Sequence, residues 1–108
     1  MQQQDFELYR GDDTLFKLSF AQGEQPYLIE GGELTMDIVP MGGKIVRMSA
    51  QDNSIIVLDE SHILLNFYHD LTKDWTWKKA DYDLQLTKDG KVKTLMRGKM
   101  HLTHDITR

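Results

Sequence analysis

The chain has 108 residues, a length that suits one domain around a single core. Hydrophobic residues make up 40% and charged residues 28%, which excludes a disordered chain, and the longest apolar runs, Ile55–Leu58 and Ile63–Leu65, fall far short of the ~20 residues of a spanning helix. With no cysteine, disulfides, thiolate catalysis and cysteine-ligated metals drop out, and a formal net charge of −4 argues against a dedicated nucleic-acid binder.

The dominant signal is alternation with period two, the mark of strands with one buried face. Phe6 and Leu8 alternate with Asp5, Glu7 and Tyr9. After Arg10-Gly11-Asp12-Asp13, a second strand alternates Phe16, Leu18 and Phe20 with Leu15, Lys17 and Ser19. The segment from Ala21 to Gly32 reads as a loop, with Tyr27-Leu28-Ile29 tucked against the core. Leu34, Met36 and Ile38 mark the next strand, which ends at Pro40-Met41-Gly42-Gly43. Short strands are predicted at Lys44–Met48, Ser54–Leu58 and His62–Tyr68, and one helical turn at Asp70–Trp75. Two long strands close the chain, Lys79–Thr87 and Lys91 to about Thr103. Short strands without helix-length spacers predict an all-β, antiparallel sandwich of seven to eight strands in one domain, residues 1–108. Met1-Gln2-Gln3-Gln4-Asp5 lacks a basic segment followed by an apolar one, so no secretory signal is expected.

Register in the last hairpin is predicted by keeping apolar side chains on one face. A three-residue loop, Lys88-Asp89-Gly90, pairs Leu86 with Val92, Leu84 with Thr94 and Tyr82 with Met96. This predicts a type I turn with a bulge at Gly90, which takes positive φ without steric cost. It also sets Asp81 across from Arg97. Gly98 is expected to let the thirteen-residue final strand bend.

Charge is unevenly spread. Residues 1–37 hold eight acids against two bases, a net of −6, and residues 73–108 hold nine bases against five acids, +4. The plainest reading is that strands from the two ends lie side by side and neutralise each other. The other is that the acidic part of one molecule meets the basic edge of a neighbour, in a contact that weakens in salt.

The series Leu71, Asp74, Ala80, Tyr82 and Leu84 resembles the tyrosine corner of immunoglobulin-like sandwiches, with Leu84 where an antibody domain has Cys. The alternative is a Tyr82 packed in the core with its hydroxyl at the rim. More of the chain carries a wider pattern. An opening strand runs into Arg10-Gly11-Asp12, then Phe16, Gly31-Gly32, Leu34-Thr35-Met36 and Ile55–Leu58. The chain then ends in Tyr82-Asp83-Leu84-Gln85-Leu86-Thr87, Asp89-Gly90, Leu95, Gly98 and Asp105-Ile106-Thr107-Arg108. This pattern resembles small bacteriophage and prophage proteins built as immunoglobulin-like sandwiches, including the N-terminal domains of phage baseplate upper proteins. It departs from them at Trp75-Thr76-Trp77-Lys78-Lys79, where such proteins carry a Pro-Gly style turn. The resemblance implies a non-enzymatic virion or tail-associated structural protein that acts by protein–protein contact. Its partners are then other phage proteins or its own copies, with assembly in the host cytoplasm before incorporation in the virion.

Candidate sites are few. Tyr68, Trp75 and Trp77 gather aromatic area that either caps the open end of the sandwich, the favoured reading, or supplies an exposed interface anchor. An exposed face there would also suit sugars, so a carbohydrate-binding module is the alternative function. Lys91, Lys93, Arg97 and Lys99 line the outer face of the last strand as a basic stripe, with Leu95 among them. Arg10-Gly11-Asp12 spells the tripeptide that integrins recognise, but a Gly-Asp pair between strands is ordinary turn chemistry. His101 and His104 lie three apart and fall on opposite faces of a strand; only a meeting of His69-Asp70 with His104-Asp105 would bring metal ligands together. The serines, Ser61 included, lack a Gly-x-Ser-x-Gly elbow, and Asp81 and Asp83 face basic neighbours. The expectation is no catalytic residue, no cofactor, no metal, no nucleic-acid or membrane partner, and no small-molecule ligand.

Overall fold

The computed structural model describes residues 2–29, 31–42 and 44–103. The strands are β1 (Gln2–Gln3), β2 (Phe6–Tyr9), β3 (Thr14–Ser19), β4 (Ala21–Gln22), β5 (Gln25–Pro26), β6 (Glu33–Pro40), β7 (Val46–Ser49), β8 (Ile55–Val57), β9 (His62–Phe67), β10 (Lys79–Lys88) and β11 (Lys91–Thr103). One short helix, α1 (His69–Thr72), joins β9 to the loop before β10.

Alternation dictates the layers. In β6 the residues Leu34, Met36 and Ile38 are buried, as are Tyr82, Leu84 and Leu86 in β10 and Ile63, Leu65 and Phe67 in β9. Strands with one apolar side must turn those sides towards each other. One sheet runs β1-β11-β10-β6-β7, with β2 also on β11; the second runs β3-β9-β8. A small hairpin, β4–β5, stands apart from both. Counting β1 and β2 as one interrupted strand, the two layers hold eight strands among the described residues. The arrangement is an all-β sandwich with variable-type immunoglobulin layout: β6, β7, β10 and β11 in one layer, β3, β8 and β9 in the other.

The antiparallel expectation has one exception. β1 and β2 both run parallel to β11, with Gln2 opposite Met96 and Phe6 opposite Met100. The two ends of the described chain are therefore neighbours, as the opposed charges of the two halves suggested. The strand breaks at Gln4-Asp5, where the backbone N–H of Lys99 donates to Asp5 Oδ1 at 2.9 Å. There the Gln4 carbonyl oxygen accepts the Tyr82 hydroxyl. An added Cβ on Gly98 would overlap that same carbonyl. Gly98 thus serves a close approach of two backbones, and Tyr82 ties the first strand down. Of the two readings of Tyr82, the tyrosine corner does not form, because the hydroxyl reaches back to Gln4, between β1 and β2, and not to the segment just before β10.

The hairpin register also differs from the expectation. Leu86 stands opposite Lys93, and the loop is the two residues Asp89 and Gly90. Their φ values of 54° and 76° fit a type I′ turn, whose twist matches that of the strands it joins. The extra residue lies further along, at Leu95: Gln85 pairs with Thr94 and Leu84 with Met96. Such a bulge sets two residues against one, so Leu95 and Met96 are both buried and the apolar phase of β11 is restored. Asp81 consequently faces Lys99, and Arg97 faces Asp83.

Candidate interaction surface

Trp75 and Trp77 do not present an aromatic platform. They are only 9% and 7% exposed, in the loop between α1 and β10, with ring centroids 5.1 Å apart. Both indoles belong to the hydrophobic core, and in a domain this small each adds a large buried apolar area to it. They are neither surface anchors nor a sugar-stacking face, and Tyr68 is half-buried at the N-terminus of α1.

The basic stripe is also divided. Directly paired residues share a face, so Lys93, opposite buried Leu86, points to the inner side, and Lys91 with it. Lys93 places its ammonium 4.8 Å from the centroid of the Tyr27 ring. Beyond the Leu95 bulge the parity reverses, and Arg97 and Lys99 point outwards. Lys99 Nζ lies 3.4 Å from Asp81 Oδ1.

The outer face of the large sheet instead carries a row that crosses five strands: Gln3, Arg97, Asp83, Asp37 and Arg47. Arg47 donates two hydrogen bonds to Asp37, from Nε to Oδ1 at 2.7 Å and from Nη2 to Oδ2 at 3.0 Å. This charge-assisted pair holds the Asp37 carboxyl below the usual carboxylate range. Burial, with the charge of Asp37 next to it, pushes the Asp83 carboxyl the other way. No cation lies within ion-pair distance of Asp83 among the described residues.

Two clusters invite catalytic or adhesive readings, and their geometry argues against both. Asp59, Ser61 and His62 are in contact, but Asp59 Oδ1 (2.7 Å) and Ser61 Oγ (3.2 Å) both meet His62 Nδ1. A hydrolytic relay needs the carboxylate and the hydroxyl on different ring nitrogens. In Arg10-Gly11-Asp12, the Gly11 N–H donates to the buried Thr72 Oγ1 at 2.9 Å. The Gly11 carbonyl lies 2.6 Å from His69 Nδ1, and the His69 N–H donates to Asp13 Oδ1 at 2.6 Å. The tripeptide is a turn clamped by α1. His104 and Asp105 lie outside the described residues, and among those described no three His, Asp or Glu side chains gather as metal ligands.

Two features escaped the sequence reading. At the turn end of the β6–β7 hairpin, Val39, Met41 and Ile45 are 47%, 76% and 66% exposed. At the other end of the same strands lies a recess of about 340 Å³, lined by Gly32, Glu33, Leu34, Ala50, Gln51 and Val57 among others. An apolar Ile45 beside Pro40-Met41 was the only signal of the first. The recess forms between strands distant in sequence and left none.

The chain is similar to a solved structure, the N-terminal domain of phage TP901-1 ORF48, with a TM-score of 0.55 over 97% of this chain and 99% of that one. The two share a fold. At 10% identity the likeness is one of fold, and it accords with the phage immunoglobulin-like pattern read from the sequence. An extracellular fragment of Novel Immune-Type Receptor 11 from Ictalurus punctatus, including its stalk region, matches at a TM-score of 0.46 and 10% identity, over 100% of this chain and 87% of that one. No family model and no curated protein matches the chain.

Proposed function

We propose that this chain is a non-enzymatic structural protein of a phage or prophage particle, tail-associated, in the baseplate or head–tail region. It works by protein–protein contact, assembling in the host cytoplasm and remaining in the virion. The observation that carries this reading is the correspondence with a phage domain along nearly the whole of both chains. The crowding of Ser61 and Asp59 onto one ring nitrogen of His62 and the burial of the tryptophans support it from the other side, since they leave the outer surface as the part available for work. Mass spectrometry of particles purified from the phage or lysogen that carries this gene tests it. The chain is expected as a stoichiometric component, and particles that lack it would overturn the reading.

A further inference from the structure

The β6–β7 hairpin is apolar at its turn and hollow at its far end. Val39, Met41 and Ile45 project at the turn, where the Met41 N–H donates to the Lys79 carbonyl at 3.1 Å. Exposed Lys44 and Lys79 flank them, and neither forms an ion pair among the described residues. The recess at the other end has Glu33 on its wall, also without an ion pair, while its one cation, Arg47, is occupied by Asp37. The tip is thus apolar with a basic fringe, and the recess is part apolar with an acidic wall. Seven residues of β6 separate Leu34 from Met41, about 23 Å at strand rise, so the tip cannot reach the recess of its own chain.

We infer that Met41 and Ile45 at the hairpin tip of one copy seat in the Leu34–Ala50–Val57 recess of a second copy, joining copies head to tail. This rests on the reading that the chain works by protein contact. The recess has space for roughly ten waters, and the unbranched thioether of Met41 adapts its shape to such a hollow. Lys44 then lies towards Glu33 of the neighbour. A contact between different patches does not close on itself as a twofold dimer does, so it builds a ring or a filament.

Light scattering of the isolated full chain across a concentration series tests this. The mass of the wild type is expected to rise with concentration, while Met41→Asp and Ala50→Trp each stay monomeric. Mixed together, these two variants should give a dimer and nothing larger, since one keeps the recess and the other the tip. Lys44→Glu and Glu33→Lys should each weaken association about threefold, and the double variant should restore it. A wild type that is monomeric throughout, a mixture that stays monomeric, or a Met41→Asp chain that associates like wild type would each overturn the inference. A monomer that still enters particles would end this inference alone and leave the structural role standing.

Discussion

The carbonyl of Gln4 occupies the space that any side chain at position 98 would need. Strand β1–β2 can lie on β11 only because residue 98 is glycine, and Tyr82, paired with Gly98 across the strands, fastens that same carbonyl. Replacing Gly98 with Ala should therefore cost about 1–3 kcal/mol, the usual range for overpacking. Urea denaturation measures the loss, and hydrogen exchange should locate it at Phe6 and Leu8, whose amides would lose protection first.

Tyr82→Phe removes the hydroxyl and leaves the tilted ring contact with Phe6, so its cost should be smaller, about 0.5–1.5 kcal/mol. Burial, and secondarily the charge of Asp5, holds this hydroxyl protonated well above the ordinary tyrosine range. The unfolded chain ionises at about pH 10, where the folded chain does not. Stability from this group is thus complete below that pH and falls as pH rises towards the folded value. Alkaline melts should show the decline in the wild type and a weaker one in Tyr82→Phe.

The cross-strand carboxylates Asp83 and Asp37 pull the acid side in opposite directions. Asp37, held low by Arg47, contributes stability that is present above the unfolded pKa and lost as pH falls through the folded one. Asp83, held high, contributes in the reverse sense, favouring the fold at low pH and losing that as pH rises. Asp83→Asn should thus stabilise the protein at pH 7 by a few tenths of a kcal/mol, given partial exposure and solvent screening. Arg47→Ala should destabilise only slightly, because the pair is solvent-screened, and should raise the acid midpoint. Thermal melts between pH 3 and 7 check both.

At the β10–β11 turn, both loop residues take positive φ. Gly90→Ala should cost about 1–2 kcal/mol for that reason. Deleting Leu95 should be tolerated, because it removes the extra residue and leaves Thr94 opposite Gln85 and Met96 opposite Leu84, so that Met96, Met100 and Leu102 keep their inward phase and only one buried leucine is lost. Circular dichroism should show the β fold retained with a lowered melting temperature, and loss of the fold would contradict this pairing.

The layers and most strand positions were legible in the alternation of residues such as Leu34, Met36 and Ile38, because burial of one face imposes period two. The hairpin register was not. Pairing Leu86 with Val92 keeps apolar faces together on an unbroken ladder, whereas the chain takes the better-twisted turn and corrects its phase later, at Leu95. Nothing local in Thr94-Leu95-Met96 announces that correction. The basic stripe was misread for the same reason, since the bulge sends Lys93 and Arg97 to opposite faces. Gly98 was noticed, but its reason lies ninety-four residues away in Gln4, beyond any reading of neighbours.

The parallel seam also bears on how this molecule comes into being. Phe6 is synthesised ninety-four residues before Met100, its partner in β11, so β2 waits for the strand that shelters it. Contacts of such long sequence separation are slow to close. Until they do, the nascent sheet stands open along β10, an edge on which a stray strand from another chain can settle before the proper one arrives.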